Sequence, residues 1–165
     1  MQCSAGHLRC YTCVIDGPTT LDPFLRLIDS FVQGGAFHRN AGHVLQVRLK
    51  RPSPPRALPL SLAFQEYHSN YTHKRFTMGF AGRPGGPEFY ISTIDNTHNH
   101  GPGPRTHVAD TCFGRIIGGS ERPLRLQEGT EVVKRMQSQP GGKAPNGFIA
   151  DSNLHIAIEG LRIIL

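Results

Sequence analysis

Two short segments contain the residues whose types and order could do chemistry. In the first, Arg39 directly follows Phe37 and His38. Because an arginine keeps its charge and presents a rigid fork of donors, it can hold and stabilise a polar group without losing a proton. The second segment, residues 76–92, runs from glycines and prolines, which suit tight loops, into the strand-like sequence Phe-Tyr-Ile. We expect the function of the chain to reside in these two segments.

The cysteines near the N-terminus leave three interpretations open. Cys10 and Cys13 have the spacing of a CxxC motif, but no second CxxC follows them. Together with Cys3 and His7 they could bind zinc, they could form a local disulfide, or they could be ordinary thiols. All three interpretations are compatible with the spacing.

A group of histidines lies in a long loop predicted at 95–110. His98 and His100 are two positions apart, His107 follows, and the carboxylates near them are Asp95 and Asp110. These side chains could bind a metal ion, but with so few other ligands nearby a solvated loop is the preferred interpretation. We therefore predict no metal site and no other cofactor.

The composition predicts one compact domain that is rich in turns. The chain has 165 residues, of which 38% are hydrophobic, with 19 glycines and 13 prolines, so an all-β or α+β domain is expected. No stretch approaches the ~18 apolar residues that a transmembrane helix needs. No signal peptide is visible, so the compartment stays open.

The net charge of +6 is spread along the chain. The densest basic group, residues 48–56, is interleaved with prolines and lacks aromatic stacking partners. A solvated loop explains this group better than a nucleic-acid site, which would need a continuous basic face and a known motif. Acidic protein or membrane-surface partners remain compatible with the charge.

The elements that must position these residues can be outlined from periodicity. A helix is predicted over 23–33, because Asp22 suits the N-cap, Pro23 the first turn and the glycines at 34 and 35 the C-terminal stop. A second helix over 131–136 should turn Val132, Val133 and Met136 inward. Strands are predicted at 44–49, 76–78, 88–93, 112–117 and 155–165. This order fits a mainly β fold, an antiparallel barrel capped by two α-helices.

Several segments in the same order resemble the cyclophilin-type peptidyl-prolyl cis-trans isomerases. Residues 37–46 resemble the family's Phe-His-Arg motif once one residue is deleted, which aligns Gly42 and Gln46 together. Residues 76–92 resemble the second motif of the groove, 112–117 resemble a later strand, and the two predicted helices match those of the family. The resemblance implies a closed, cyclophilin-like antiparallel β-barrel over residues 20–165. Residues 1–19 form a poorly matched N-terminal segment.

The resemblance also implies a site. Arg39 falls on the catalytic arginine of the family and Gln46 on its active-site glutamine. The other positions that fall on substrate-binding residues differ in type from the family pattern: His43, Val44, Gly79, Phe80, Glu88 and Tyr90. Gln46 is expected to donate to a substrate carbonyl, and Tyr90 with Val44 to line the proline pocket. Glu88 is a carboxylate that could pair with Arg39 and compete with substrate.

The chemistry implied by the resemblance needs neither a nucleophile nor a cofactor. Rotation about an Xaa-Pro bond crosses a barrier of about 20 kcal/mol because amide resonance is lost. A guanidinium beside the prolyl nitrogen can stabilise the twisted amide more than either planar form. We expect a peptidyl-prolyl isomerase that binds Xaa-Pro segments and is slower than a cyclophilin with the full motif.

Two alternatives belong to other classes of protein. The chain contains no tryptophan, so a tryptophan-containing segment of the family has no counterpart, and Gly79 and Phe80 replace a peptide-binding pair. These differences favour a catalytically inert domain that serves as an interaction or structural subunit of a larger assembly. A weaker alternative is a thiol or zinc module at residues 3–13.

Overall fold

The structure is a computed structural model, and it describes nine ranges of the chain: 2–3, 8–9, 12–14, 34–49, 67–81, 88–102, 109–116, 129–139 and 145–160. The helix predicted over 23–33, the basic loop from position 50 to 56 and His107 lie outside the described residues. Of the zinc or thiol cluster, His7 and Cys10 lie outside them, as do the side chains of Cys3 and Cys13.

Strands dominate the part of the chain that the structure describes. Nine are present there: β1 (Gln2–Cys3), β2 (Leu8–Arg9), β3 (Thr12–Val14), β4 (Gly35–Asn40), β5 (Val44–Leu49), β6 (Thr77–Phe80), β7 (Phe89–Ser92), β8 (Cys112–Ile116) and β9 (Ile156–Gly160). Two helices, α1 (Thr97–His100) and α2 (Gly129–Gln137), and a 3-10 turn (Ser152–Leu154) accompany them.

The strands form one antiparallel sheet in the order β2-β1-β9-β4-β5-β7-β6-β8-β3. None of the described pairings joins β2 to β3, the two ends of this order. The two strands are, however, only two residues apart in the chain. Because consecutive Cα atoms are 3.8 Å apart, Arg9 and Thr12 lie within about 11 Å of each other. The sheet therefore curves until its two ends are near one another.

The core lies on one side of this sheet. On β5, alternate residues Leu45, Val47 and Leu49 are buried in the main apolar cluster, while Gln46 and Arg48 point the other way. The cluster also takes in side chains from the neighbouring strands and from α2: Phe37, Met78, Phe80, Phe89, Ile91, Phe113, Ile116, Val132, Val133, Met136, Ile156 and Ile158. We call the side of the sheet away from this cluster the outer face.

The sequence predicted five of the nine described strands and the helix α2, and it did not indicate β1–β4. The strand at 44–49 and the inward Val132, Val133 and Met136 of α2 are confirmed. β6 begins one residue and ends two residues later than predicted, and β7 is one residue shorter at each end. β8 covers the described part of the strand predicted over 112–117, and β9 begins one residue after the predicted start at 155. The loop predicted at 95–110 contains a short helix, α1, that the sequence did not indicate.

Candidate functional site

A bulge in β4 sets the direction of Arg39. Phe37 pairs with Val47 and Arg39 pairs with Gln46, so His38 is an extra residue in this strand. In a regular strand, Phe37 and Arg39 would share a face, and Phe37 is in the core. The extra residue therefore turns Arg39 to the outer face, on which Gln46 lies.

Four of the predicted site residues form one row across the outer face. Arg39 on β4 pairs with Gln46 on β5, Gln46 pairs with Tyr90 on β7, and Tyr90 pairs with Gly79 on β6. Side chains that are directly opposite on adjacent strands have Cβ atoms about 5 Å apart. The structure thus brings together residues that are up to 51 positions apart in the chain, and we call them the Arg39 row.

Three contacts hold the Arg39 guanidinium in place. Its Nε donates to the Asn146 carbonyl at 2.6 Å, and its Nη1 donates to Gln46 Oε1 at 3.1 Å. Its Cζ also lies 5.2 Å from the centre of the Phe148 ring, which is a cation–π contact. The guanidinium is therefore positioned from both the sheet and a loop.

That loop, residues 146–148, is attached directly to the bulged strand. Asn40 N donates to the Gly147 carbonyl at 2.9 Å, and Arg39 and Phe148 form an antiparallel bridge. Gly147 has a φ of +75°, and a Cβ there would lie 2.5 Å from Ala41 Cα, so this position requires glycine. This loop was not predicted from the sequence, although an Asn-Gly pair is a recognised turn signal.

Glu88 does not form the expected pair with Arg39 in the described part of the chain. It accepts from Arg48 Nε at 3.0 Å and from Gln46 Nε2 at 3.2 Å. The Arg48 side chain is 65% exposed, so this ion pair is screened by water and contributes little to stability. Its effect is on Gln46, because an acceptor at Nε2 and a donor at Oε1 together fix the orientation of that amide.

Tyr90 is only 3% exposed, because a polar cluster covers this end of the Arg39 row. The Tyr90 hydroxyl donates to Asp110 Oδ2 at 3.0 Å and lies 3.2 Å from His73 Nδ1. His73 Nε2 is 2.8 Å from the Asp110 carbonyl, and His100 Nδ1 is 2.8 Å from Asp110 Oδ2. We call Tyr90, His73, His100 and Asp110 the buried polar cluster.

Burial lowers the pKa of His73, which favours its neutral form. A neutral His73 donates from Nε2 to the Asp110 carbonyl, and its Nδ1 then faces the Tyr90 hydroxyl as an acceptor. The Tyr90 hydroxyl has a single proton, and it donates this proton to the Asp110 carboxylate. Protonation of His73 would instead supply a donor to the hydroxyl oxygen, at the cost of a buried charge.

The imidazole of His100 lies on Tyr90 where the resemblance placed a proline pocket. The two rings stack with their centres 4.5 Å apart, and the ring of His43 lies 6.2 Å from His100 on the same stack. Val44 is 1% exposed. His43 and His100 are both partly exposed, so this stack reaches the surface through these two rings.

Gly79 and Phe80 lie beneath this region. A Cβ on Gly79 would be 2.5 Å from Tyr90 Oη, so the close packing of that ring depends on glycine. The side chain of Phe80 is fully buried and stacks on Phe113 at 4.3 Å, and its backbone N–H donates to the Thr111 carbonyl. The Phe80 side chain thus belongs to the core.

Among the described residues, no group of three His, Cys, Asp or Glu side chains has an arrangement suited to a metal ion. His98 is exposed on α1, whereas His100 turns toward Asp110. No helix in the described ranges is long and apolar enough to cross a membrane.

Comparison with known proteins gives the fold and not the family. No protein-family model and no curated protein matches the sequence. The structure is similar to the crystal structure of a cyclophilin-type peptidyl-prolyl cis-trans isomerase from Cryptosporidium parvum, with a TM-score of 0.61 and 17% identity. The match covers 92% of this chain and 88% of that one. The chain has a mainly β, cyclophilin-like fold.

Several residues of the site came only from the structure. The loop at 146–148, His73 and Asp110 contact the Arg39 row from distant parts of the chain, and no motif links them to it in sequence. Residue spacing alone cannot reveal such pairs, because a contact such as Tyr90 to Asp110 spans 20 positions through a loop. His100 had been considered only as a metal ligand or a solvated loop residue.

Proposed function

We propose that this protein binds proline-containing segments of peptides or proteins over Arg39 and Gln46 and isomerises the Xaa-Pro bond slowly. The observation that carries the proposal is the fixed, half-buried Arg39 guanidinium on the outer face of a cyclophilin-like sheet, beside an oriented glutamine amide. Fixed donors of this kind can stabilise the twisted prolyl amide without having to reorganise as the bond turns.

The donors that remain on these two side chains support binding of a peptide. The contacts of the Arg39 guanidinium with Asn146 and Gln46 use two of its five N–H groups, as seen in the described part of the chain. The contact of Gln46 Nε2 with Glu88 uses one of its two. The remaining N–H groups of Arg39 and Gln46 can therefore donate to a peptide carbonyl and to the prolyl nitrogen while the existing contacts stay in place.

A slow rate follows from the state of the proline pocket. Tyr90 and Val44, which would line it, are almost completely buried, and His100 stacks on the Tyr90 ring. A proline ring can reach Tyr90 only if His100 moves, and that movement breaks its contact with the Asp110 carboxylate. Binding energy that is used to move His100 is not available to stabilise the transition state.

The covered state of the proline pocket also favours a second candidate, an inert domain that serves as an interaction or structural subunit. Such a domain would keep Arg39 for a structural or binding role and would have its pocket filled by the buried polar cluster. Exposed residues such as Arg48 would then contribute to association, and prolyl isomerisation would not be accelerated.

The deciding experiment is a prolyl isomerisation assay, by NMR exchange or a protease-coupled reaction, on a short Xaa-Pro peptide. We expect the wild-type chain to accelerate exchange and Arg39→Ala to lose about 100-fold of that acceleration, the usual scale for removal of one transition-state donor. Arg115→Ala is the matched control, because Arg115 is an exposed strand arginine on β8 and is no member of the Arg39 row. It should leave the rate unchanged.

Two results would contradict the isomerase proposal. If the Arg39→Ala protein keeps the wild-type rate, the guanidinium is not the stabilising group. If a well-folded wild-type chain does not accelerate exchange at all, the inert subunit becomes the better proposal. Association measured with an Arg48→Ala variant would then be the next test.

A further inference from the structure

Phe148 is an exposed aromatic residue beside the Arg39 guanidinium. The residue is 38% exposed, and its ring centre lies 5.2 Å from Arg39 Cζ. Phe148 also contacts the His38 ring, whose centre is 5.4 Å away. The remaining surface is apolar and lies next to the group that is proposed to contact the prolyl nitrogen.

We propose that Phe148 is a specificity-determining residue, which favours Xaa-Pro segments with an aromatic side chain directly next to the proline. This inference rests on the proposed function. If Arg39 contacts the prolyl nitrogen, the Cα of either flanking residue is one peptide unit, about 3.8 Å, from the proline Cα. The side chain of such a residue can therefore reach a ring whose centre is 5.2 Å from the guanidinium carbon.

The Phe148 ring is held in place before any ligand arrives. Its backbone forms a bridge with Arg39, and its N–H donates to Asn146 Oδ1 at 3.2 Å. The stacked His38 ring restricts the side chain. A contact surface that is already ordered costs little conformational entropy on binding. Two aromatic rings gain additional attraction in offset or edge-to-face arrangements.

A purely positioning role for Phe148 makes a different prediction. If the ring only holds Arg39, its removal weakens the binding of every Xaa-Pro peptide by the same factor. If it contacts the flanking residue, its removal weakens the binding of peptides with an aromatic residue there by a larger factor than the binding of the alanine peptide. The ratio of two affinities therefore separates the two roles, whereas a single affinity does not.

The test measures dissociation constants by NMR titration of the full chain with three short peptides. The peptides are identical except that the proline is flanked by alanine on both sides, by phenylalanine before it, or by phenylalanine after it. We expect the wild-type chain to bind one phenylalanine peptide about three- to tenfold more tightly than the alanine peptide, the range that an aromatic pair supports.

Three variants complete the design. Phe148→Ala should bring the ratio of the two affinities close to one, and any weakening that comes from its lost contact with Arg39 should apply equally to all three peptides. Phe148→Leu, which keeps apolar bulk and provides a second reading if the alanine variant does not fold, should retain part of the preference. Leu154→Ala is the matched control, because Leu154 is also a large apolar residue and is 47% exposed. It should keep the wild-type ratio.

Each contrary result has a separate meaning. A preference that persists in the Phe148 variants, or an equal loss for all three peptides, overturns the specificity inference and leaves the proposed function standing. A wild-type chain that binds the peptides with no preference does the same. A wild-type chain that binds none of them overturns both.

Discussion

Replacement of Gly79 by alanine is a sharp test of the packing beneath Tyr90. At an open strand position, alanine in place of glycine usually stabilises a protein by about 0.5–1 kcal/mol, because it restricts the unfolded chain. At Gly79, a Cβ would lie 2.5 Å from Tyr90 Oη, 2.6 Å from Tyr90 Cζ and 2.9 Å from His73 Cε1. We therefore expect the sign of the change to be reversed.

The magnitude follows from what must move. To reach ordinary contact at 3.4 Å, the Tyr90 hydroxyl would have to retreat by roughly 0.9 Å. It now lies 3.0 Å from Asp110 Oδ2, and the ring is covered by His100 at 4.5 Å. Overpacking costs about 1–3 kcal/mol and a disrupted buried hydrogen bond about 1–3 kcal/mol. The expected loss of unfolding free energy is about 2–6 kcal/mol.

Urea unfolding followed by circular dichroism measures this loss. With a urea dependence of about 2 kcal/mol per M, the midpoint should fall by about 1–3 M. Gly42→Ala is the matched control, because Gly42 has a φ of +80° but open space around its Cβ position. It should lose only about 1 kcal/mol.

A double variant locates the cause. Tyr90→Leu removes the ring from the position that the new Cβ would occupy, so Gly79→Ala should cost much less in that background. The reasoning is refuted if Gly79→Ala is neutral or stabilising in the wild-type background, or if its cost is unchanged by Tyr90→Leu.

Two further predictions concern the loop that holds Arg39 and the buried histidine. Gly147→Ala should destabilise the protein by about 2 kcal/mol or more, because its φ is +75° and its Cβ would meet the Ala41 backbone. It should also reduce any isomerase rate through displacement of the Asn146 carbonyl from Arg39, and an unchanged rate in a folded variant would contradict this.

Burial lowers the pKa of His73 in the native protein. As the pH falls through 6.5, the unfolded chain therefore binds more protons than the native one. The unfolding free energy should decrease with falling pH until the lower native pKa of His73 is reached. Urea midpoints at pH 7.5 and 5.5 measure this slope, and a His73→Gln variant with the same slope as wild type would contradict it.

The sequence predicted the elements with strong periodicity and missed those that depend on contacts between distant segments. In Val44–Leu49, apolar and polar residues partly alternate because one face of the strand is buried and the other is the outer face. This strand could therefore be predicted from the sequence alone. The inward valines of α2 follow from helical spacing in the same way. The helix α1 has four residues and no buried ones, so no apolar pattern marks it.

The same distinction applies to the residues of the candidate site. Arg39 and Gln46 could be proposed from the resemblance, and the structure places them side by side. The bulge at His38, which turns Arg39 outward, depends on how β4 pairs with β5. No single residue in the sequence marks its position. The ion pair of Glu88 with Arg48 was not foreseen, because the choice between two nearby arginines depends on side-chain geometry across β5 and β7.

The contact between Arg39 Nε and the Asn146 carbonyl joins residues 107 positions apart, and this separation has a consequence in time. In a chain made from its N-terminus, Arg39 and Gln46 are present about 100 residues before the loop at 146–148 and β9, which lies between β1 and β4. Long-range pairings of this kind also form late in folding, because loop closure costs entropy before contacts compensate it. A nascent chain that has not reached residue 145 therefore carries Arg39 with its glutamine partner and without its carbonyl partner. The set of contacts around Arg39 is completed only when the loop at 146–148 is in place.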